Sequence, residues 1–169
     1  MEFEVTAEDA RIAGLAALAI AIDVVEANLP SPLPGVKPGL ANVVTLAALH
    51  WYGFGVPAWV SVLRVVGGGL LGGTFLSPGF LSLSGAIANL CVLRLATAIP
   101  GLSSIGYGAL AALAHMVGPF ALAYWVLIPH PGLLRLLPVL MTAALVFGFS
   151  GGIIARAMVA GMDGRRAQA

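Results

Sequence analysis

Residues Pro30–Leu49 read PSPLPGVKPGLANVVTLAAL. The stretch holds Pro30, Pro32, Pro34 and Pro38 of the chain's 11 prolines, its sole lysine, Lys37, and a Gly-Leu-Ala-Asn segment that runs into an apolar helix. Proline fixes φ and removes a backbone donor, so Pro30–Pro38 is a stiff, polar break between two hydrocarbon-like segments. That break sets the first helix–link–helix unit, and the remaining sequence reads outward from it as a scaffold of apolar helices.

Hydrophobic residues make up 60% of the 169 residues and charged residues 9%, with a mean hydropathy of +1.02. Soluble domains carry about 25% charged residues, so this chain lacks the polar surface to coat a globule. The composition predicts an all-α integral membrane protein. With about 20 residues per crossing, the length predicts a single transmembrane domain over 1–169, a compact bundle of six transmembrane helices. Residues 1–10 and 163–169 are its polar ends. The net charge of +1 offers no basic surface for nucleic acid. A lone cysteine, Cys91, excludes an internal disulfide and Cys-pair metal or haem motifs, so no cofactor is expected. The opening MEFEVTAEDAR is acidic where a signal peptide would be basic, and the first apolar segment is expected to be retained.

Before the break, the first span covers about Ile12–Leu29. Ala13, Ala17 and Ala21 recur every fourth residue and share a helical face. Small faces of this kind let helices approach closely, either inside the bundle or against a second membrane protein. Asp23 and Glu26 lie three apart on one side of the same helix. Acidic groups at such depth face a bundle interior or mark the water interface. After the break, a short second span over about Leu40–Tyr52 opens at Asn42 and closes on His50-Trp51-Tyr52, an aromatic pair suited to an interface with an interfacial histidine beside it.

The third span, about Phe54–Leu71, buries Arg64 near its middle and runs into GGGLLGG, Gly67–Gly73. That run has no lysine at phosphate-loop spacing, so it reads as close helix contact or a broken helix end. Arg64 requires a counter-charge, either Asp23, Glu26 or an anionic ligand. The fourth span, about Phe80–Ala98, contains Ser82, Ser84 and Asn89, with Arg94 near its end. The fifth, about Ser103–Ile128, places Pro119 next to His115, where a kink is expected. The sixth, about Leu133–Met162, carries Pro138 and a Gly148/Gly151/Gly152 face. Arg11, Arg94, Arg156, Arg165 and Arg166 fall on the side shared by both termini, and Lys37 and Arg135 on the other. The positive-inside rule then predicts a multi-pass protein of the cytoplasmic membrane with both termini in the cytoplasm.

Three stretches in order carry a resemblance: Glu26 with LPGVKPGLANVVTLAAL, then LRVVGGGLLGGTFLSPGFLSLSGAIANL (Leu63–Leu90), then SSIGYGALAALAHMVGPFALA (Ser103–Ala123). Together they resemble the Gx transporter family, also labelled heptaprenyl diphosphate synthase component I. The chain departs from the family's usual His-Asn-x-Gly-Gln, with Met116 and Pro119 in place of two amides. The family is similar to the S components of energy-coupling factor transporters, six-helix binding subunits that dock on a transmembrane coupling subunit with ATPases. That resemblance implies that Ala13, Ala17 and Ala21 are the docking face. It also implies that Pro30–Pro38 is a lid over a small-molecule ligand.

The ligand-binding candidates are Lys37, Asn42, Arg64, Ser84, Asn89 and His115, with Asp23 and Glu26 as structural or ion-pair partners. The two cations suggest an anionic or isoprenoid-related molecule unless Glu26 neutralises one of them. Chain elongation on prenyl diphosphates needs clustered aspartates to hold magnesium. Asp9, Asp23 and Asp163 are scattered, so the chain is expected not to be an enzyme. No ATP-binding motif is present, so transport would need partners. The alternative is an interaction subunit of a quinone or redox system, with His50 and His115 as contacts to quinone or haem.

Overall fold

A computed structural model of the chain describes residues 6–28, 39–71 and 77–166. Lys37 and the remainder of Pro30–Pro38 lie outside the described residues, as do Gly72 and Gly73. The described residues form six α-helices: α1 (Ala7–Asn28), α2 (Ala41–Tyr52), α3 (Gly55–Leu71), α4 (Ser77–Ala96), α5 (Ser104–Leu122) and α6 (Leu137–Arg166). No strand occurs among them.

Local chemistry sets most of the ends. Thr6 and Asp9 form a reciprocal capping box on α1. The Thr6 hydroxyl accepts from the Asp9 amide at 3.2 Å, and the Asp9 carboxylate accepts from the Thr6 amide at 3.0 Å and the Thr6 hydroxyl at 2.7 Å. The α2 helix stops at Gly53, whose φ of +72° is open to glycine and whose N–H reaches back to the Leu49 carbonyl at 3.2 Å. Ser103 caps α5 by accepting from the Gly106 amide at 3.2 Å. The fifth span runs on through a π-turn over Ala123–Leu127. His130 then caps a 3₁₀ segment over Pro131–Leu136, which leads into α6.

Three stretches of the described residues are long and apolar enough to cross a membrane: Gly79–Ala96, Ser104–Leu127 and Pro131–Gly164. The Gly55–Leu71 helix is apolar but shorter. Large apolar side chains point outward all along these helices, including Phe80, Leu95, Trp125 and Val126. An exposed apolar girdle of this kind is what lipid covers, and the chain is a membrane-associated helical protein. The sequence expectation of six helices holds for the helix count; three stretches, one each around α4, α5 and α6, are both long and apolar enough to span unaided.

The helix α2 sits at the centre. It packs against α1, α3, α5 and α6 and buries Ala41, Val43, Val44, Thr45, Leu46, Ala47 and Ala48. On one side, Val44 and Ala48 pack with Ala19 of α1 and Val56 and Val60 of α3. On the other, Val43 and Leu46 pack with Leu93 of α4, Ala111 of α5 and Ala155 of α6. Inside the core, Thr45 and Ser61 bring their hydroxyls to 3.5 Å.

Glycine lets the outer helices close on one another. A Cβ on Gly108 of α5 would collide with the Gly148 carbonyl and lie 2.9 Å from Gly152 Cα of α6. Of the Gly148/Gly151/Gly152 face marked in the sequence, Gly148 and Gly152 are therefore the α5 contact, while Gly151 turns toward Val43 of α2. The expected role of the glycines after Arg64 is met at Gly67 and Gly68, which abut Ile20 and the Asp23 carboxylate of α1.

Candidate functional site

At the start of α2 the chain turns a carboxylate inward. Glu26 is 4% exposed, and its two oxygens accept from the amides of Leu40 at 2.7 Å and Ala41 at 3.3 Å. A helix N-terminus leaves its first amides without intrahelical acceptors. Here an acid fourteen residues upstream supplies them, so Glu26 pins the end of α1 to the start of α2. Arg64 of α3, 5% exposed, lies within the field of both Asp23 and Glu26. The counter-charge that Arg64 requires thus comes from α1, and two carboxylates offset the one guanidinium together with the α2 N-terminus.

Further into the bundle, the fully buried Asn89 of α4 donates through Nδ2 to Asn42 Oδ1 at 3.1 Å. Asn42, Arg64, His115 and Met116 line one small cavity of about 60 Å³ whose opposite wall is Ala144, Phe147 and Gly148 of α6. Two buried polar atoms here have no hydrogen-bond partner among the described residues: Arg64 Nε and Asn89 Oδ1. Leaving such groups without partners costs about 1–3 kcal/mol each, so this is the most costly polar cluster inside the apolar bundle among the described residues.

The sequence candidates therefore separate. Asn42, Asn89, Arg64, His115, Asp23 and Glu26 converge around the upper end of α2. Ser84 does not join them: its hydroxyl donates to the Leu81 carbonyl at 2.7 Å within its own helix. Lys37 lies outside the described residues. His115 stands where Pro119 cannot donate to its carbonyl, and Gly85 of α4 packs directly against that carbonyl. Met116 faces the cavity, so an apolar thioether forms part of its lining. Ala13, Ala17 and Ala21 are all exposed, while α1 packs inward through Ala16 and Ala19. Internal bundle packing, the first of the two readings of that face, is not its role.

The heptaprenyl diphosphate synthase component I family matches residues 15–158. The chain belongs to this family. The match takes in all the polar residues at the upper end of α2, and it includes Ala17 and Ala21 while Ala13 precedes it. No curated protein and no solved structure matches the chain. This component I protein also has a second, larger cavity that sequence reasoning missed. It measures about 650 Å³ and lies at the opposite end of α2, between the ends of α2 and α4 and the first turns of α5. Leu46 lines both cavities and stands between them. His50 borders the lower cavity and His115 the upper, so the two histidines do not converge on one group. No cluster of three or more His, Cys, Asp or Glu residues able to hold a metal occurs among the described residues.

Proposed function

We propose that this component I protein is a membrane-embedded binding subunit of a transport assembly, similar in role to S components, and not itself a catalyst. In this reading all six helices lie in the membrane with both termini in the cytoplasm. A transmembrane coupling subunit with ATPases docks on the exposed Ala13/Ala17/Ala21 face and supplies the energy that this chain cannot. Membership of a family described as component I of a synthase supports a partner protein.

One observation carries the reading: a buried polar cluster with the Arg64 Nε and Asn89 Oδ1 atoms left incomplete, set inside an otherwise apolar bundle next to the α1–α2 link. Polar and ionisable groups inside membranes are costly and mark ligand or ion paths. Because Asp23 and Glu26 offset Arg64, the cluster favours a small polar group that both donates to Asn89 and accepts from Arg64 over a strongly anionic one. The placement of the ends supports the topology. Arg11 at the start of α1 stacks 5.6 Å over the Tyr52 ring, and Asp163 near the end of α6 lies 3.9 Å from His50. The start of α1 and the end of α6 thus lie at the same face, as an even number of crossings requires.

The test is purification in mild detergent followed by native mass spectrometry, a visible spectrum and identification of co-purifying proteins. A colourless protein that retains a small ligand, loses it on Asn89→Leu with folding intact, and brings down an ATPase module supports the proposal. A Soret band, or full ligand retention by Asn89→Leu, refutes it.

A further inference from the structure

The lower cavity differs from the upper cluster in both size and charge. At about 650 Å³ it falls within the range of sites for drug-sized ligands. Its inner wall is apolar, formed by Leu46, Leu49, Phe54 and Leu102, and its rim carries Arg94 and His50. Arg94 is held in place there: Nη1 donates to Thr97 Oγ1 at 3.2 Å and the guanidinium stacks 5.7 Å over the Phe54 ring. That hydrogen bond engages one of five N–H donors. No carboxylate among the described residues lies within ion-pair distance of Arg94. His50, by contrast, faces Asp163 at 3.9 Å, so among the described residues Arg94 is the rim's cation with no carboxylate at ion-pair distance. Arg64 in the upper cluster has Asp23 and Glu26 to offset it.

We propose that this lower cavity binds a phosphate-headed amphiphile, with the phosphate on Arg94 and the hydrocarbon chain against Leu46, Leu49, Phe54 and Leu102. A fixed guanidinium pairs with phosphate oxygens in a fork geometry. The apolar wall runs from the rim toward the centre of a bundle that lipid surrounds, so the hydrocarbon leaves water as the headgroup is captured. The proposal stands apart from the transport reading, since it uses other residues at the other end of α2.

The experiment uses the intact chain in detergent, offered phosphatidylglycerol, a diacylglycerol of the same chains or inorganic phosphate, with adducts read by native mass spectrometry. Phosphatidylglycerol is expected to be retained in preference to diacylglycerol. Arg94→Gln should reduce retention about tenfold, corresponding to about 1.4 kcal/mol, with thermal unfolding unchanged because Arg94 is exposed. Arg94→Lys should restore part of it, and Arg135→Gln, a cation elsewhere on the surface, should leave it intact. Equal retention by Arg94→Gln and the parent chain, or diacylglycerol binding as well as phosphatidylglycerol, overturns the proposal. Displacement of the lipid by inorganic phosphate alone overturns its hydrocarbon half and assigns the rim to soluble phosphate esters.

Discussion

Replacing Glu26 tests whether the link between α1 and α2 depends on a single carboxylate. Its hydrogen bond from the Leu40 amide, at 2.7 Å, is short and charge-assisted, and that from Ala41, at 3.3 Å, is long. The first contributes about 1.5–3 kcal/mol and the second, weaker bond about 0.5–1 kcal/mol. Glu26→Ala deletes both acceptors and half of the carboxylate charge around Arg64, so the loss should be about 2–4 kcal/mol. For a chain of this size that lowers Tm by about 4–16 °C. Glu26→Gln keeps one oxygen for Leu40 but not the charge, and should fall between Glu26→Ala and the parent chain. Thermal unfolding followed by tryptophan fluorescence in detergent reads the series. A double-mutant cycle with Arg64→Met isolates the ionic part: Glu26→Ala should cost less by about 1 kcal/mol or more once the guanidinium is gone. An unchanged Tm in Glu26→Ala, or strictly additive effects in the cycle, would refute the cap and the pairing respectively.

Three further outcomes follow from other contacts. Gly108→Leu should force α5 away from Gly148 and Gly152 and cost about 1–3 kcal/mol as overpacking, whereas Gly161→Leu, where a Cβ meets open space, should be neutral by the same unfolding assay. Ala17→Trp should leave folding intact, since Ala17 is exposed, and abolish co-purification of a coupling partner; a surviving complex would remove the docking-face assignment. The hydrogen bonds from Thr6 hold the Asp9 carboxyl below its ordinary 3.8. A depressed carboxylate contributes stability that is present above the unfolded value and is lost as pH falls through the folded one. The first turn of α1 should therefore fray only under acid conditions below 3.8, read from the Thr6 and Asp9 amide signals by NMR, and Asp9→Ala should remove that pH dependence.

The helices and several of their contacts were legible in the sequence because hydropathy, glycine spacing and proline placement act locally. The close approach at Gly148 and Gly152 and the ends of α2 needed nothing more, although Gly151, grouped with them in the sequence, faces α2 instead. The need of Arg64 for a counter-charge was also legible, since a guanidinium in an apolar span has few ways to be stable, but the sequence left Asp23, Glu26 and an anionic ligand as alternatives. Other features depend on contacts far apart in the chain. Asn89 meets Asn42 from 47 residues away, and no periodicity encodes that pairing. Ser84 looked like a cavity residue by its place in α4, but a serine in a helix can satisfy itself on a preceding carbonyl, and it does so at Leu81. The lower cavity escaped notice because its rim comes from three helix ends, with Arg94 readable from sequence only as an orientation marker.

The brevity of α2 has a consequence for biogenesis. Twelve residues make a helix of about 18 Å, well short of the roughly 30 Å of bilayer hydrocarbon. A segment of that length leaving the translocon alone would present lipid with backbone groups that it cannot satisfy by itself. Its N-terminal amides find their acceptor on α1, and its flanks find cover on α1, α3, α5 and α6. In the proposed six-span topology, insertion of α2 is an assembly step: the segment enters in company with α1 and is enclosed only when α5 and α6 arrive, late in synthesis. Ribosome-stalled chains truncated before α5 should hold α2 exposed to chaperones or protease, and chains extended beyond α6 should shield it.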